Sequence, residues 1–242
     1  MDAVDTNVLN TSALAEPGRG PESRTTQACA ALRQDILSGA LGAGVKLKID
    51  QLRERYDLGA SPIREALSLL TSDGLVERLD QRGFRVAPVS GLEFRDILKT
   101  RCWMEERALR DSIAAGDSAW QDRVVLAYYR LSRTPRGGPE AGDLSGSSEW
   151  EALHKAFHMA LIGGCGSDIL IRFCDQLYDR NIRYRQLSRP AALPKRDIEA
   201  EHKAIMEAAI DGDADAAVAA LIAHYTRTGG YLEGSMLDTA GT

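Results

Sequence analysis

The order of local signals between Thr26 and Val86 limits the fold more tightly than any other feature of the chain. A helix is expected from Thr26 to about Ser38, with Leu32, Ile36 and Leu37 as its apolar stripe and Gly39 as its stop. Leu41-Gly42-Ala43-Gly44 reads as a turn, and a short helix follows from about Asp50 to Tyr56. Asp57-Leu58-Gly59-Ala60 makes the next turn. A third helix is expected to begin at Ser61-Pro62, with the serine as N-cap and the proline at the first helical position, where no amide hydrogen is needed. Ile63, Ala66, Leu67 and Leu70 give it an apolar face, and Gly74 stops it. The pattern then changes to short strands: Leu75–Leu79 and Phe84-Arg85-Val86, joined by the turn Asp80-Gln81-Arg82-Gly83. Helix, short helix, tight turn, helix, hairpin is the order of a winged helix–turn–helix.

The remainder reads differently. Residues 1–20 show no periodicity and are expected to be a flexible tail. From Leu92 onward there is no convincing strand. Helices are expected near 92–115, 118–133, 148–163, 168–189, 196–211 and 213–231. They are broken at Gly116-Asp117, the Pro/Gly/Ser stretch 134–147, Gly163–Gly166, Pro190–Pro194 and Gly212. Mostly short connections between helices imply an antiparallel bundle. The expected architecture is therefore mainly α: a winged helix–turn–helix over 21–88, an all-α antiparallel helical bundle over 89–232, and a short tail over 233–242.

Several classes of protein are disfavoured. No apolar run approaches the roughly 20 residues that span a bilayer. The N-terminus carries Asp2, Asp5 and Glu16 with only Arg19 as a base, unlike a secretory signal, so a cytoplasmic protein with no membrane partner is expected. Cys29, Cys102, Cys165 and Cys174 form no CxxC pair and are expected to be reduced core residues. The net charge of −5 argues against nonspecific nucleic-acid binding by the whole molecule. Residues 21–88 are nearly balanced at +1, so a DNA-binding role requires positive charge to gather on one face.

On the third helix, Ser61, Arg64 and Ser68 lie opposite the apolar face, in one line at spacings of three and four. A helix that enters the major groove reads bases with its N-terminal residues, and arginine can bond in bidentate fashion to guanine O6 and N7. Ser61 and the amides of the first turn could hold a phosphate. Arg82 and Gly83 sit at the hairpin tip, where Arg82 could reach the adjacent groove or backbone. Arg64 alone would be an ordinary solvated arginine; the order of elements around it supplies the case for base reading.

All four histidines fall in the C-terminal half: His154, His158, His202 and His224. His154 and His158 are an i,i+4 pair whose imidazoles point the same way. His202 begins the apolar face of a later helix, and His224 lies near the end of the last helix. Bundles build metal sites from facing helices in this way, although i,i+4 histidine pairs also occur on plain solvated surfaces. Imidazole donors suit a divalent metal: Zn²⁺ first, with Ni²⁺, Mn²⁺, Cu²⁺ and Fe as the other candidates.

Leu52-Arg53-Glu54-Arg55-Tyr56-Asp57-Leu58-Gly59-Ala60-Ser61-Pro62-Ile63-Arg64-Glu65-Ala66-Leu67 resembles the signature of the GntR family of bacterial repressors, as does Leu70…Asp73-Gly74-Leu75-Val76…Gly83-Phe84-Arg85-Val86. The resemblance covers about residues 26–88 and implies a homodimer that binds palindromic double-stranded operator DNA. Many members have arginine at the position of Ala60 and some a base near Asp50; both are absent here, which leaves Arg64 and the wing with more of the readout.

Residues 92–232 resemble the all-helical FCD ligand-binding domain of the FadR-type branch. In many members an aspartate, a histidine four residues later and two further histidines hold one divalent metal. His158, His202 and His224 match the histidines, and His154 stands for the aspartate. The stretch Trp150…His154-Lys155-Ala156-Phe157-His158…Gly163-Gly164-Cys165-Gly166-Ser167, with Arg183-Tyr184-Arg185, is similar to the carbon-starvation repressors that respond to glutarate, where a histidine also stands at this position. The resemblance implies a small carboxylate effector that completes the metal's coordination and meets an arginine. Arg101 matches a pocket-facing arginine of the family; Arg180 and Arg183, on one face of the fourth helix of the bundle, are second choices.

Two other functions fit parts of the pattern. A metallohydrolase could use the histidine cluster, but no HExxH-like general base stands beside it, and Glu151 is the nearest candidate. A DNA-binding protein whose helical half only dimerises would need no metal and no effector.

Overall fold

The computed structural model describes residues 22–136, 148–187 and 196–239. The tail expected over 1–20 and most of the expected loops over 134–147 and 190–194 lie outside the described residues.

The N-terminal part folds as α1 (Arg24–Leu37), β1 (Lys46–Leu47), α2 (Ile49–Tyr56), α3 (Ala60–Ser72), β2 (Val76–Leu79) and β3 (Gly83–Val86). Ser23 caps α1 by accepting from the Thr26 amide at 3.1 Å. Ala28, Leu32 and Ile36 then recur on one face and meet Ile63, Ala66, Leu67 and Leu70 of α3. Burying each large aliphatic side chain stabilises the domain by roughly 1.5–3 kcal/mol. α3 ends where Gly74 takes φ +72°, a left-handed conformation that side chains with a Cβ rarely adopt, and the Leu75 amide reaches back to the Leu70 carbonyl at 3.0 Å.

Three details differ from the sequence reading. Ser61 is not the N-cap of α3: the helix begins at Ala60, Gly59 occupies the cap position, and no side chain caps it. β1 was not foreseen; it adds an edge to the hairpin, giving an antiparallel sheet in the order β1-β3-β2 with Lys46 opposite Arg85 and Leu47 opposite Phe84. The last helix also runs further than expected, as described next.

The C-terminal part consists of α4 (Gly91–Ala115), α5 (Ser118–Arg133), α6 (Ser148–Ile162), α7 (Asp168–Leu187), α8 (Ile198–Ile210) and α9 (Ala214–Thr239). α9 thus continues to Thr239 instead of ending near residue 231, and most of the stretch read as a tail over 233–242 is helical. Ser90, Asp117 and Asp197 cap α4, α5 and α8 through their side-chain oxygens. α4 packs on α7 and α9, α8 on α9, and α5 on α6 and α8. Leu109, Trp120, Val124, Phe157, Leu161, Ile162, Ile205 and Leu221 fill the middle of this bundle. The four cysteines are free thiols, and burial pushes the Cys174 thiol up to about 12. Among the described residues, no helix is long and apolar enough to cross a membrane.

The two parts meet along α7. Arg33 of α1 pairs with Asp179 at 2.6 Å and also with Asp73, and Gln176 donates to Asp73 at 3.1 Å.

Candidate metal centre and operator-reading surface

α3 exposes Ser61, Arg64 and Ser68 on the side opposite its buried face. The Ser68 hydroxyl donates to the Arg64 carbonyl at 3.0 Å, so its local bond is made within the helix. Arg64 takes part in no ion pair among the described residues, and its guanidinium is available to an acceptor from outside. The uncapped start of α3 leaves the amides of Ala60 and Ser61 for a phosphate, the role assigned to Ser61 with the cap itself removed. Arg82 and Gly83 are exposed at the wing tip, where Gln81 and Gly83 take φ +53° and +91° to close the hairpin. Arg85, by contrast, is tied to Glu77 at 2.7 Å.

The four histidines converge. His154 and His158 of α6, His202 of α8 and His224 of α9 are all buried, and each offers a ring nitrogen within 4.8 Å of the others. His154 Nε2 lies 3.1 Å from both His158 Nε2 and His202 Nε2. Two imidazole nitrogens bound to one Zn²⁺ at about 2.0–2.1 Å each can lie no more than about 4.2 Å apart, so these two spacings are compatible with a shared divalent ion.

The groups behind the histidines set which nitrogen faces inward. Tyr225 donates its hydroxyl proton to Glu105 and its oxygen accepts from His158 Nδ1 at 2.9 Å, which leaves the His158 Nε2 lone pair toward the cluster. Glu201 accepts from His224 Nδ1 at 2.8 Å with the same consequence for His224. The Tyr178 hydroxyl lies 2.6 Å from His154 Nδ1, and Trp150 stacks on the His154 ring at 4.7 Å. Burial opposes the charge on Glu201, but hydrogen bonds from Arg196, His224 and Arg227 outweigh it and hold the carboxyl well below the usual range. Tyr178, Tyr225 and Glu201 were missed in the sequence. The local hints were that Tyr225 follows His224 and that Glu201 precedes His202.

Beside the cluster is a small cavity of about 10 Å³, bordered by Arg101, His154, Asn181, His224, Tyr225 and Thr228; that is room for roughly one water, so a larger guest needs the walls to move apart. Arg101 is 4% exposed. Its Nε donates to Glu105 at 2.7 Å and its Nη1 to Asn181 at 3.2 Å, and its guanidinium lies 4.2 Å from the Tyr225 ring centre. Burial disfavours its charge, but Glu105 more than compensates and its pKa is raised. Arg101 Nη2 is buried without a hydrogen-bond partner among the described residues, a costly arrangement unless an acceptor arrives. His154, His224 and Arg101 thus border one small cavity, and one guanidinium nitrogen of Arg101 is buried and unsatisfied beside it.

Arg180 and Arg183, the second choices as effector ligands, are not among the residues that border this cavity. Arg180 pairs with Glu93 at 2.6 Å, and Arg183 donates to the Ala87 carbonyl at the join between the two parts. Burial pulls the Arg183 guanidinium below its ordinary value. Their shared helical face was read correctly, but that face looks toward the N-terminal part.

A winged helix that exposes one face of its third helix, joined to a helical bundle with a buried donor set, is the architecture of a transcriptional regulator. Residues 24–86 match the family of bacterial regulatory proteins called gntR, and residues 96–227 match the FCD domain. The chain belongs to the GntR family, in the branch that carries an FCD domain, and it is related to regulators rather than enzymes. It is 40% identical over 188 residues to the HTH-type transcriptional regulator BphR of Paraburkholderia xenovorans, covering 76% of this chain and 75% of that one. It is 38% identical over 156 residues to the HTH-type transcriptional repressor GlaR of Escherichia coli, covering 64% and 69%. Its fold is like that of E. coli McbR/YncC, with a TM-score of 0.74 at 20% identity over 89% of this chain and 100% of that one. A GntR regulator from Rhodococcus sp. RHA1 has a TM-score of 0.70 at 20% identity, covering 88% and 99%.

Proposed function

We propose that this regulator is a repressor that binds a two-fold symmetric operator as a homodimer and releases it when a small dicarboxylate, glutarate-like, enters the sensor cavity. The observation that carries this reading is the buried, unsatisfied Nη2 of Arg101, a residue that borders the same small cavity as His154 and His224. A bound divalent metal, Zn²⁺ first among candidates, would supply a Lewis-acidic point for one carboxylate. His154, His158, His202 and His224 would hold it. Arg101 would then take the second carboxylate through its planar guanidinium, steered by Glu105 and Asn181. His154 in place of the family's aspartate makes the donor set all-imidazole and neutral, which leaves more positive charge to attract a dianion. The name of the GlaR relative supports repression as the sign of control.

On the DNA side, Arg64 is the base reader, with Ser61 and Ser68 in line with it and Arg82 and Gly83 at the backbone or the adjacent groove. One such helix reads only a few base pairs, so two copies are needed for a specific site. The test is fluorescence anisotropy of an operator fragment selected in vitro on the purified, Zn²⁺-loaded protein. Saturating glutarate is expected to lower operator affinity by about 5–150-fold, the usual range of such couplings. Unchanged affinity with glutarate and with its C4 and C6 neighbours overturns dicarboxylate control.

A further inference from the structure

Helix α7 touches both halves of the molecule through one short stretch. Tyr178 and Asn181, three residues apart, face the sensor site: Tyr178 lies 2.6 Å from His154 Nδ1, and Asn181 accepts from Arg101 at 3.2 Å. Between and beside them, Gln176, Asp179, Arg180 and Arg183 face the N-terminal part and the segment that joins it to α4. Asp179 is 2% exposed and lies between two cations from different elements. Arg33 of α1 reaches one carboxylate oxygen at 2.6 Å, and Lys155 of α6, the residue after His154, reaches the other at 2.6 Å. The other end of Arg33 pairs with Asp73, the C-cap of the reading helix α3, and Gln176 holds the second Asp73 oxygen. Arg180 lies against Gly74 so closely that an added Cβ would meet its Nε at 3.3 Å.

We propose that Arg33, Asp179 and Lys155 form the coupling element that converts occupancy of the sensor site into a change in operator affinity, with Arg33 and Asp179 as positioning residues for α3. This rests on the sensor-site reading above. A ligand can move the reading head only if it binds one arrangement of the molecule better than another. A buried carboxylate shared by two cations supplies such a preference. With little water around Asp179, its attraction to each cation depends steeply on distance. A small displacement of α6 or α7 as the histidine site fills changes the balance between Lys155 and Arg33. Arg33 passes that change to the end of α3 through Asp73. If these contacts merely joined the domains, their loss would lower stability and leave the ligand response intact.

The experiment measures operator affinity of full-length wild type, Asp179→Asn and Arg33→Gln in three states: Zn²⁺-loaded, Zn²⁺-loaded with saturating glutarate, and chelator-treated. Zn²⁺ content and glutarate affinity are measured separately, along with the thermal midpoint. Whichever probe moves wild-type affinity is expected to move that of both variants by less than about twofold, while its own binding stays near wild type; a true coupling would otherwise be about 5–150-fold. Arg33→Gln alters a partly exposed residue far from the site and serves if Asp179→Asn fails to fold. The proposal is overturned if a folded variant keeps the wild-type fold-change, or if neither probe moves wild-type affinity, since there is then no coupling to carry. Failure of the sensor-site reading looks different: wild type itself retains no Zn²⁺ and binds no glutarate.

Discussion

The two halves of this regulator place their chemistry on opposite sides of the core boundary. In the N-terminal part the buried residues among those described are apolar, and Ser61, Arg64, Ser68 and Arg82 stand outside in water. In the C-terminal part Arg101, Glu105, His154, His158, Asp179, Asn181, Arg183, His202 and His224 are all buried. The reading head can therefore change its specificity without touching its fold. In the helical part the candidate site is itself buried beside the apolar core, so function and stability are expected to change together. Buried charge is tolerated there because partners are close: Arg101 with Glu105, and Asp179 with Arg33 and Lys155.

The largest effect expected from this contrast is on stability. Glu105→Ala leaves Arg101 buried without its carboxylate and should cost about 3–5 kcal/mol in urea unfolding. A cost below about 1 kcal/mol would mean that the sensor core does not depend on its charged pairs. Chelation comes next. If the histidine cluster binds Zn²⁺ at 100 to 1,000 times its Kd, removal should cost about 2.7–4.1 kcal/mol. That loss should appear in the unfolding of the helical domain and leave the winged helix unchanged, as followed by hydrogen exchange. Equal loss of protection in both would break the comparison.

For the reading head the expectation reverses. Arg64→Ala should leave the thermal midpoint unchanged and weaken operator binding by about 1–3 kcal/mol, with relaxed preference at one position per half-site. Arg82→Ala should have the smallest effect. If it contacts phosphate, binding falls uniformly across sequences and the salt slope drops by about one. Filter binding on a randomised operator library separates the two: a sequence-dependent loss at Arg82, or a uniform one at Arg64, exchanges their roles.

How much of this could be read in the sequence follows the same division. The winged helix is built from local signals, and the helices, the Gly74 stop and the hairpin turn were legible. β1 was not, because a two-residue strand exists only through its pairing with β3, almost forty residues later. The N-cap was misplaced by two positions, at Ser61 instead of Gly59, because both residues suit a helix start. In the sensor, the four histidines were legible as rare residues on apolar helical faces. Their supporting groups were not: Tyr178, Tyr225 and Glu201 lie among ordinary core and surface residues, and only the packing of α7, α8 and α9 brings them behind the imidazoles. Periodicity gave the shared face of Arg180 and Arg183 but not what that face meets.

The central claim is that one buried site holds both a divalent metal and a dicarboxylate, the second anchored by Arg101. Titration calorimetry of glutarate into Zn²⁺-loaded wild type, chelator-treated wild type and Zn²⁺-loaded Arg101→Ala tests it most directly. The account predicts one binding event per chain at submillimolar Kd in the first, and loss of at least tenfold in affinity, about 1.4 kcal/mol, in each of the others. Equal affinity in all three, or no submillimolar binding of any C4 to C6 dicarboxylate to the loaded protein, would contradict it.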